Sequence, residues 1–218
     1  MPKRGRVSVA PGCPAWFRIT TLEADLSARV EGDWLPRLPS IVAIGGLRWR
    51  VVGWTTDARE HAWAGRADAQ TLAETRLLAP SPPDRWRLEF FTPTAFRGEA
   101  GHLPLPVPGA LIGSWLRRWE TFGPIAMPVG LLDRLRSGVA VSAFSLKSVP
   151  VRDARRLVIG CVGELTLRAV GLSPGQRAAM DLLAAYAFWA GSGHHTTQGM
   201  GMTRLRPAWS GNRDGTAY

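Results

Sequence analysis

Near its end the chain reads Gly191-Ser-Gly-His-His-Thr-Thr-Gln-Gly-Met-Gly201, four glycines in eleven residues. Glycine visits backbone conformations closed to other residues, so a run this dense specifies a tight loop rather than a continuous helix or strand. The interleaved histidines, threonines and glutamine add short polar groups which, with backbone N–H donors, suit close contact with an anion. What precedes the loop sets its place in the fold. Ser173 followed by Pro174 reads as a helix N-cap and first turn, and Ala179, Leu183, Tyr186 and Ala190 recur at helical spacing, so a helix is expected up to Gly191. Met202-Thr-Arg-Leu-Arg-Pro207 reads as a short strand ending at a proline. The local unit is therefore helix, glycine loop, strand.

That order argues against ATP and NAD, whose glycine-rich loops lie between a strand and the N-terminus of the next helix. Thr196 also stands where the third glycine of a dinucleotide motif belongs, and no Lys-Ser or Lys-Thr pair follows Gly199. No cofactor is expected. The 27 basic and 17 acidic residues leave a net charge of +10, which makes a polyanion the expected partner class, with a mere solubility charge as the alternative. Apart from Lys3 and Lys147 every basic residue is an arginine, whose planar fork suits phosphate oxygens and base stacking. Cys13 and Cys161 stand far apart without metal-ligand spacing, which points to a reducing compartment and to no zinc site. No secretory signal and no membrane-spanning run is visible, so a soluble, cytoplasmic protein is expected.

Taken in order, Trp16–Leu22 is rich in strand formers, and Glu23 to Trp34 carries Leu26, Val30 and Trp34 at a helical period. Ile41–Ile44 and Leu47–Trp54 flank Gly45-Gly46 as a hairpin. A polar loop with His61-Ala-Trp63 follows, then a short helix over Ala67–Leu78. The cluster Pro80-Ser-Pro-Pro83 reads as a linker, which divides the chain into residues 1–83 and 84–218. Beyond it, Arg85–Phe91 alternates as a strand and continues into Thr92-Pro-Thr-Ala-Phe-Arg97. Gly98–Pro106 reads as a loop, and Pro108–Phe122 as a helix with Leu111, Trp115, Leu116 and Trp119 on one face. Val139–Val149 and Arg156–Val170 are two further strands joined by a polar turn at Arg152-Asp-Ala154. The order β-α-β-β-α-β is that of a ferredoxin-like unit, an antiparallel sheet with both helices on one face, within an α+β protein.

Thr92-Pro-Thr-Ala-Phe-Arg97, the Cys161-Val-Gly163 step and the Ala-x-Tyr-Ala helix that runs into Gly191–Gly201 together resemble the CRISPR repeat-cleaving endoribonucleases of the RAMP superfamily. His61-Ala-Trp63 resembles a secondary feature of the same family. The resemblance implies a pair of ferredoxin-like (RRM-like) domains with a cleft for one repeat of the precursor CRISPR RNA. It also implies cleavage without metal, by attack of the ribose 2′-OH on the adjacent phosphate, leaving a 2′,3′-cyclic phosphate. The C-terminal unit is expected complete and the N-terminal one partial, since the family's first strand, first helix and second strand find no counterpart. In many members the catalytic histidine lies on or just after that first helix. A separate chain, or other CRISPR effector subunits, would then complete the N-terminal domain, and a non-catalytic RNA-holding role in an effector complex is the alternative to an enzyme.

Within this frame the candidates for proton transfer are His194, His195 and His61. Gly191, Gly193, His194, His195, Thr196, Thr197, Gln198, Gly199 and Gly201 are the candidate RNA contacts of the loop. For His61 a role in bonding the junction between the two units is the preferred reading, and Trp63 beside it is a candidate base-stacking group. Lys147 reads either as a cation at the scissile phosphate or as a solvated strand residue, and Arg97 as a phosphate contact or an ion-pair partner. Arg117 and Arg118 read first as a solvated helix face and second as contacts to an RNA backbone. Trp49, Trp86, Trp115 and Trp119 stand at core-like positions.

Overall fold

The structure is a computed structural model that describes residues 9–98, 101–153 and 156–207. The basic run Met1–Arg6 and Ala154, the last residue of the turn read at Arg152-Asp-Ala154, lie outside the described residues. The N-terminal part has helix α1 (Ala24–Arg29), which continues through a wider turn over Val30–Trp34 and a tighter one over Leu35–Arg37. Strands β1 (Ile41–Ile44) and β2 (Leu47–Arg50) pair antiparallel across Gly45-Gly46, both glycines having positive φ as a two-residue hairpin requires. Helix α2 (Ala69–Leu77) starts at Asp68, whose carboxylate accepts from the Thr71 N–H at 2.8 Å.

Two expectations fail here for lack of neighbours. Trp16–Leu22 is not a strand, because no strand among the described residues pairs with its backbone. Its side chains serve as anchors instead. The Trp16 ring stacks on Phe91 at 5.4 Å, and the Arg18 guanidinium lies 4.0 Å from the Phe188 ring centroid. Trp49 is only half-buried, since a two-stranded hairpin has no second layer to cover it.

The remainder carries the main sheet. Strand β3 (Arg85–Thr94) turns Trp86, Leu88 and Phe90 into the core and Arg87, Glu89 and Phe91 to the opposite face, the period of two expected of a pleated strand. The segment read as the loop Gly98–Pro106 begins instead with a small hairpin, β4 (Phe96–Gly98) with β5 (Gly101–Leu103). Helix α3 (Pro108–Phe122) buries Leu111, Ile112, Trp115, Leu116 and Trp119. A further helix, α4 (Leu131–Gly138), fills a stretch left without an assignment; Gly130 enters it with positive φ and Leu131 and Leu135 are buried.

Strands β6 (Val139–Asp153) and β7 (Arg156–Ala169) form one long hairpin. Helix α5 (Pro174–Ala190) opens on a capping box between Ser173 and Gln176, and β8 (Thr203–Arg206) closes the sheet. The strand order β6-β7-β3-β8, all antiparallel, with α3 and α5 packed in one core, is the ferredoxin-like arrangement. Asp181 breaks the apolar run of α5 because it is a tie. It accepts from the Trp86 Nε1–H at 3.1 Å and from Arg76 of α2 at 2.9 Å, satisfying a carboxylate that is otherwise buried. Among the described residues no helix is long and apolar enough to cross a membrane.

Candidate nucleic-acid interface

The glycine loop is seated on Thr92–Arg97. The Met202 N–H donates to Thr92 Oγ1 (2.9 Å), the Gly201 N–H to the Pro93 carbonyl (3.0 Å) and the His194 N–H to the Ala95 carbonyl (2.9 Å). The register of β3 shifts between Phe90 and Thr94, which frees these groups from the ladder and presents them to the loop. Beneath it, buried Ser192 accepts from Trp115 Nε1 at 2.8 Å, and the Gly193 N–H donates to Ser114 Oγ at 3.2 Å. Gly193 and Gly201 have positive φ, and a Cβ at either would strike a carbonyl oxygen, that of Ala95 or of Ser192. Two stretches nearly a hundred residues apart are one structural unit.

This seating consumes most of the loop's main-chain donors. The N–H groups of Gly191, Ser192, Gly193, His194, Gln198, Gly199, Met200 and Gly201 all bond within the protein. The three that remain, at His195, Thr196 and Thr197, open the one-turn 3₁₀-helix Thr196–Gln198 ahead of its first bond, from the Gln198 N–H to the His195 carbonyl (2.9 Å). His195 is the only described non-glycine residue at positive φ (57°), so strain is stored beside the three amides that have no hydrogen bond among the described residues. Thr197, Gln198 and Gly199 are exposed, whereas Gly191, Gly193 and Gly201 are buried. The glycines shape the loop, and its tip is what a ligand reaches.

Basic groups flank that tip. Arg118 is not the solvated residue first read from its helix face: its guanidinium turns under the loop and donates to the Gly193 carbonyl (2.7 Å) and toward Thr196 Oγ1 (3.3 Å). Burial, then the charge of Arg117, lowers its pKa, and no carboxylate pairs with it among the described residues. Arg117 is exposed on the same helix. Arg97 is exposed on β4, without a carboxylate partner among the described residues, and opposite His102 of β5.

His102 was not singled out by any motif, yet the fold brings it to the loop histidines. Its Nδ1 and His194 Nε2 share a hydrogen bond of 2.9 Å. The His194 and His195 rings meet edge to face at 4.4 Å. Burial first, then His195, His102 and Arg97, push the His194 pKa down to about 4, with the Phe96 backbone pulling the other way. A histidine five residues beyond the Thr-Pro-Thr-Ala-Phe-Arg segment, at the foot of a Gly-flanked turn, was the only signal available in the sequence. Among the described residues no group of three or more His, Cys, Asp or Glu side chains is arranged to hold a metal ion.

Other candidates lie elsewhere. His61 stands apart from the loop histidines, edge-on to Trp16 at 4.6 Å, and its Nδ1 accepts from the Trp63 N–H at 3.2 Å. Trp63 is buried, parallel to Phe188 at 5.9 Å and beneath Arg204, so it has no free face for a base. Lys147 is exposed on β6 opposite Val162, on the sheet face away from the helices. A separate concavity of about 640 Å³ opens between α2, α5 and β8, with Arg66, Arg76, Arg85, Arg204 and Arg206 around it; only Arg85 of these lacks an ion pair among the described residues.

Comparison with known proteins places this geometry. The model of a family described as CRISPR-associated endoribonuclease Cas6 matches residues 88–203. The CRISPR-associated endoribonuclease Cas6 of Mycobacterium tuberculosis is 26% identical over 193 residues, covering 88% of this chain and 59% of the relative. The chain thus spans about three fifths of the curated relative's length. Among solved structures, the Cas6 (TTHA0078) product complex superposes with a TM-score of 0.75 at 27% identity, covering 85% of this chain and 76% of that one. The Cas6 (TTHB231) product complex, of a Thermus thermophilus protein, gives 0.67 at 28% identity, covering 83% and 70%.

Proposed function

The chain belongs to the CRISPR-associated endoribonuclease Cas6 family, and on that premise we propose that it processes CRISPR RNA, binding the repeat of the precursor transcript and cutting it without metal. The ribose 2′-OH attacks the adjacent phosphate and leaves a 2′,3′-cyclic phosphate, which makes RNA rather than DNA the substrate. One observation carries the reading. The loop tip has three amides at His195–Thr197 without a hydrogen bond among the described residues, flanked by Arg97 and Arg118 and by paired imidazoles, the donors and proton carriers that a phosphodiester in a cleavage step requires. The electrostatic part is sequence-independent, so repeat selection falls to base contacts made elsewhere on the surface.

The test uses an end-labelled repeat from the host's own arrays, incubated with the protein in EDTA, beside the same RNA carrying a 2′-deoxy substitution at the cut site. Cutting that survives EDTA and stops with the deoxy sugar is expected. Tight binding with no cutting would replace this reading with that of an RNA-holding subunit, and no binding at moderate salt would remove both.

A further inference from the structure

We propose that His102 is the residue that exchanges a proton with the RNA 2′-OH, and that His194 is the positioning residue behind it. This rests on the RNA-cleaving function proposed above. The two rings form an inner and an outer member. His194 is the inner one: its Nδ1 is buried, with no well-formed hydrogen bond among the described residues, and its Nε2 faces His102 Nδ1 at 2.9 Å. His102 is the outer one, exposed at the end of the β4–β5 hairpin, and its Nε2 engages nothing among the described residues.

One tautomer of the pair is productive. With the His102 Nδ1–H donating to His194 Nε2, His102 Nε2 carries a lone pair and can accept a proton, and the imidazolium so formed can return it from the same nitrogen. The inner ring stays uncharged near neutrality, its pKa of about 4 being set by burial before charge. Among the described residues, the charged and titratable groups around the pair are Arg97 across the hairpin, His195 edge-on from the loop, and Arg118 from α3 at the loop's base. The cations among them favour the bound phosphate and the developing phosphorane.

The step balances without a co-reactant. His102 Nε2 takes the 2′-OH proton as the O2′–P bond forms. The P–O5′ bond breaks with its electron pair on O5′, which takes a proton from water, and the hydroxide so formed recovers the proton held on His102. A 2′,3′-cyclic phosphate and a 5′-OH result.

The experiment is single-turnover cleavage of repeat RNA by the full chain in EDTA as a function of pH, with binding measured on the 2′-deoxy repeat. His102→Ala should slow cleavage about 100-fold and leave the affinity within about threefold, the range for loss of one acid–base group. His194→Gln should shift the pH midpoint of the rate while the 2′-deoxy repeat binds as before; a merely structural role would lower the rate equally at every pH. A His102→Ala protein that cuts like the wild type, or that loses binding in step with cutting, overturns this inference and leaves the function standing. A wild-type chain that binds but never cuts overturns the function and the proton role together.

Discussion

His194 loses basicity first because burial desolvates its ring and then because the charges of His195, His102 and Arg97 oppose its protonation, the Phe96 backbone pulling the other way. Its folded pKa, about 4, lies below the ordinary 6.5, so protonation favours the unfolded chain. Stability from this source is complete above pH 6.5 and is lost as the pH falls through that value toward 4. Urea midpoints at neutral and acid pH should therefore separate more for the wild type than for His194→Gln; equal separations would show that the ring is not desolvated. None of this was legible in the sequence, where His194 and His195 looked alike. The same holds for Arg118, which the helical wheel placed beside Arg117 but which the loop draws inward, and for Trp63, whose partners Phe91 and Phe188 are far along the chain.

At the scale of elements, the loop and its seat are the decisive pairing. The helix before it was readable from Ser173 and Pro174, since capping is settled by a few adjacent residues, and the capping box is present. The hairpin at Gly45-Gly46 was readable for the same reason. Helix α4 and the β4–β5 hairpin were not, being too short for a periodic pattern to stand out. Gly193 tests the seat. Replacing it by Ala forces a side chain at φ 77° onto the Ala95 carbonyl and should cost about 2–4 kcal/mol, from strain and overpacking together. Thermal unfolding would read this as a lowered midpoint; an unchanged midpoint would mean that the loop is not held against Thr92–Arg97.

Across the whole molecule, the +10 charge is distributed unevenly in its effect. Glu89, Glu164 and Asp181 pair with Arg204, Arg87 and Arg76, while Arg97 and Arg118 beside the loop keep their charge for a ligand. RNA binding should weaken steeply with salt, and Arg97→Ala should reduce the log–log slope by about 0.7–0.9, the value of one phosphate contact. Filter binding across a salt series measures it, and an unchanged slope would remove Arg97 from the interface. The four main strands and two long helices beyond Pro83, the glycine loop and the basic character were determined by the sequence alone, because each follows from composition or from residues within a turn or two of one another. Which loop amides remain free, which histidine joins which, and which arginine is drawn inward were decided by tertiary structure. The partners that settle them, Ala95 with His194 and His102 with His194, lie more than ninety residues apart and meet only when β3 bulges beneath the loop.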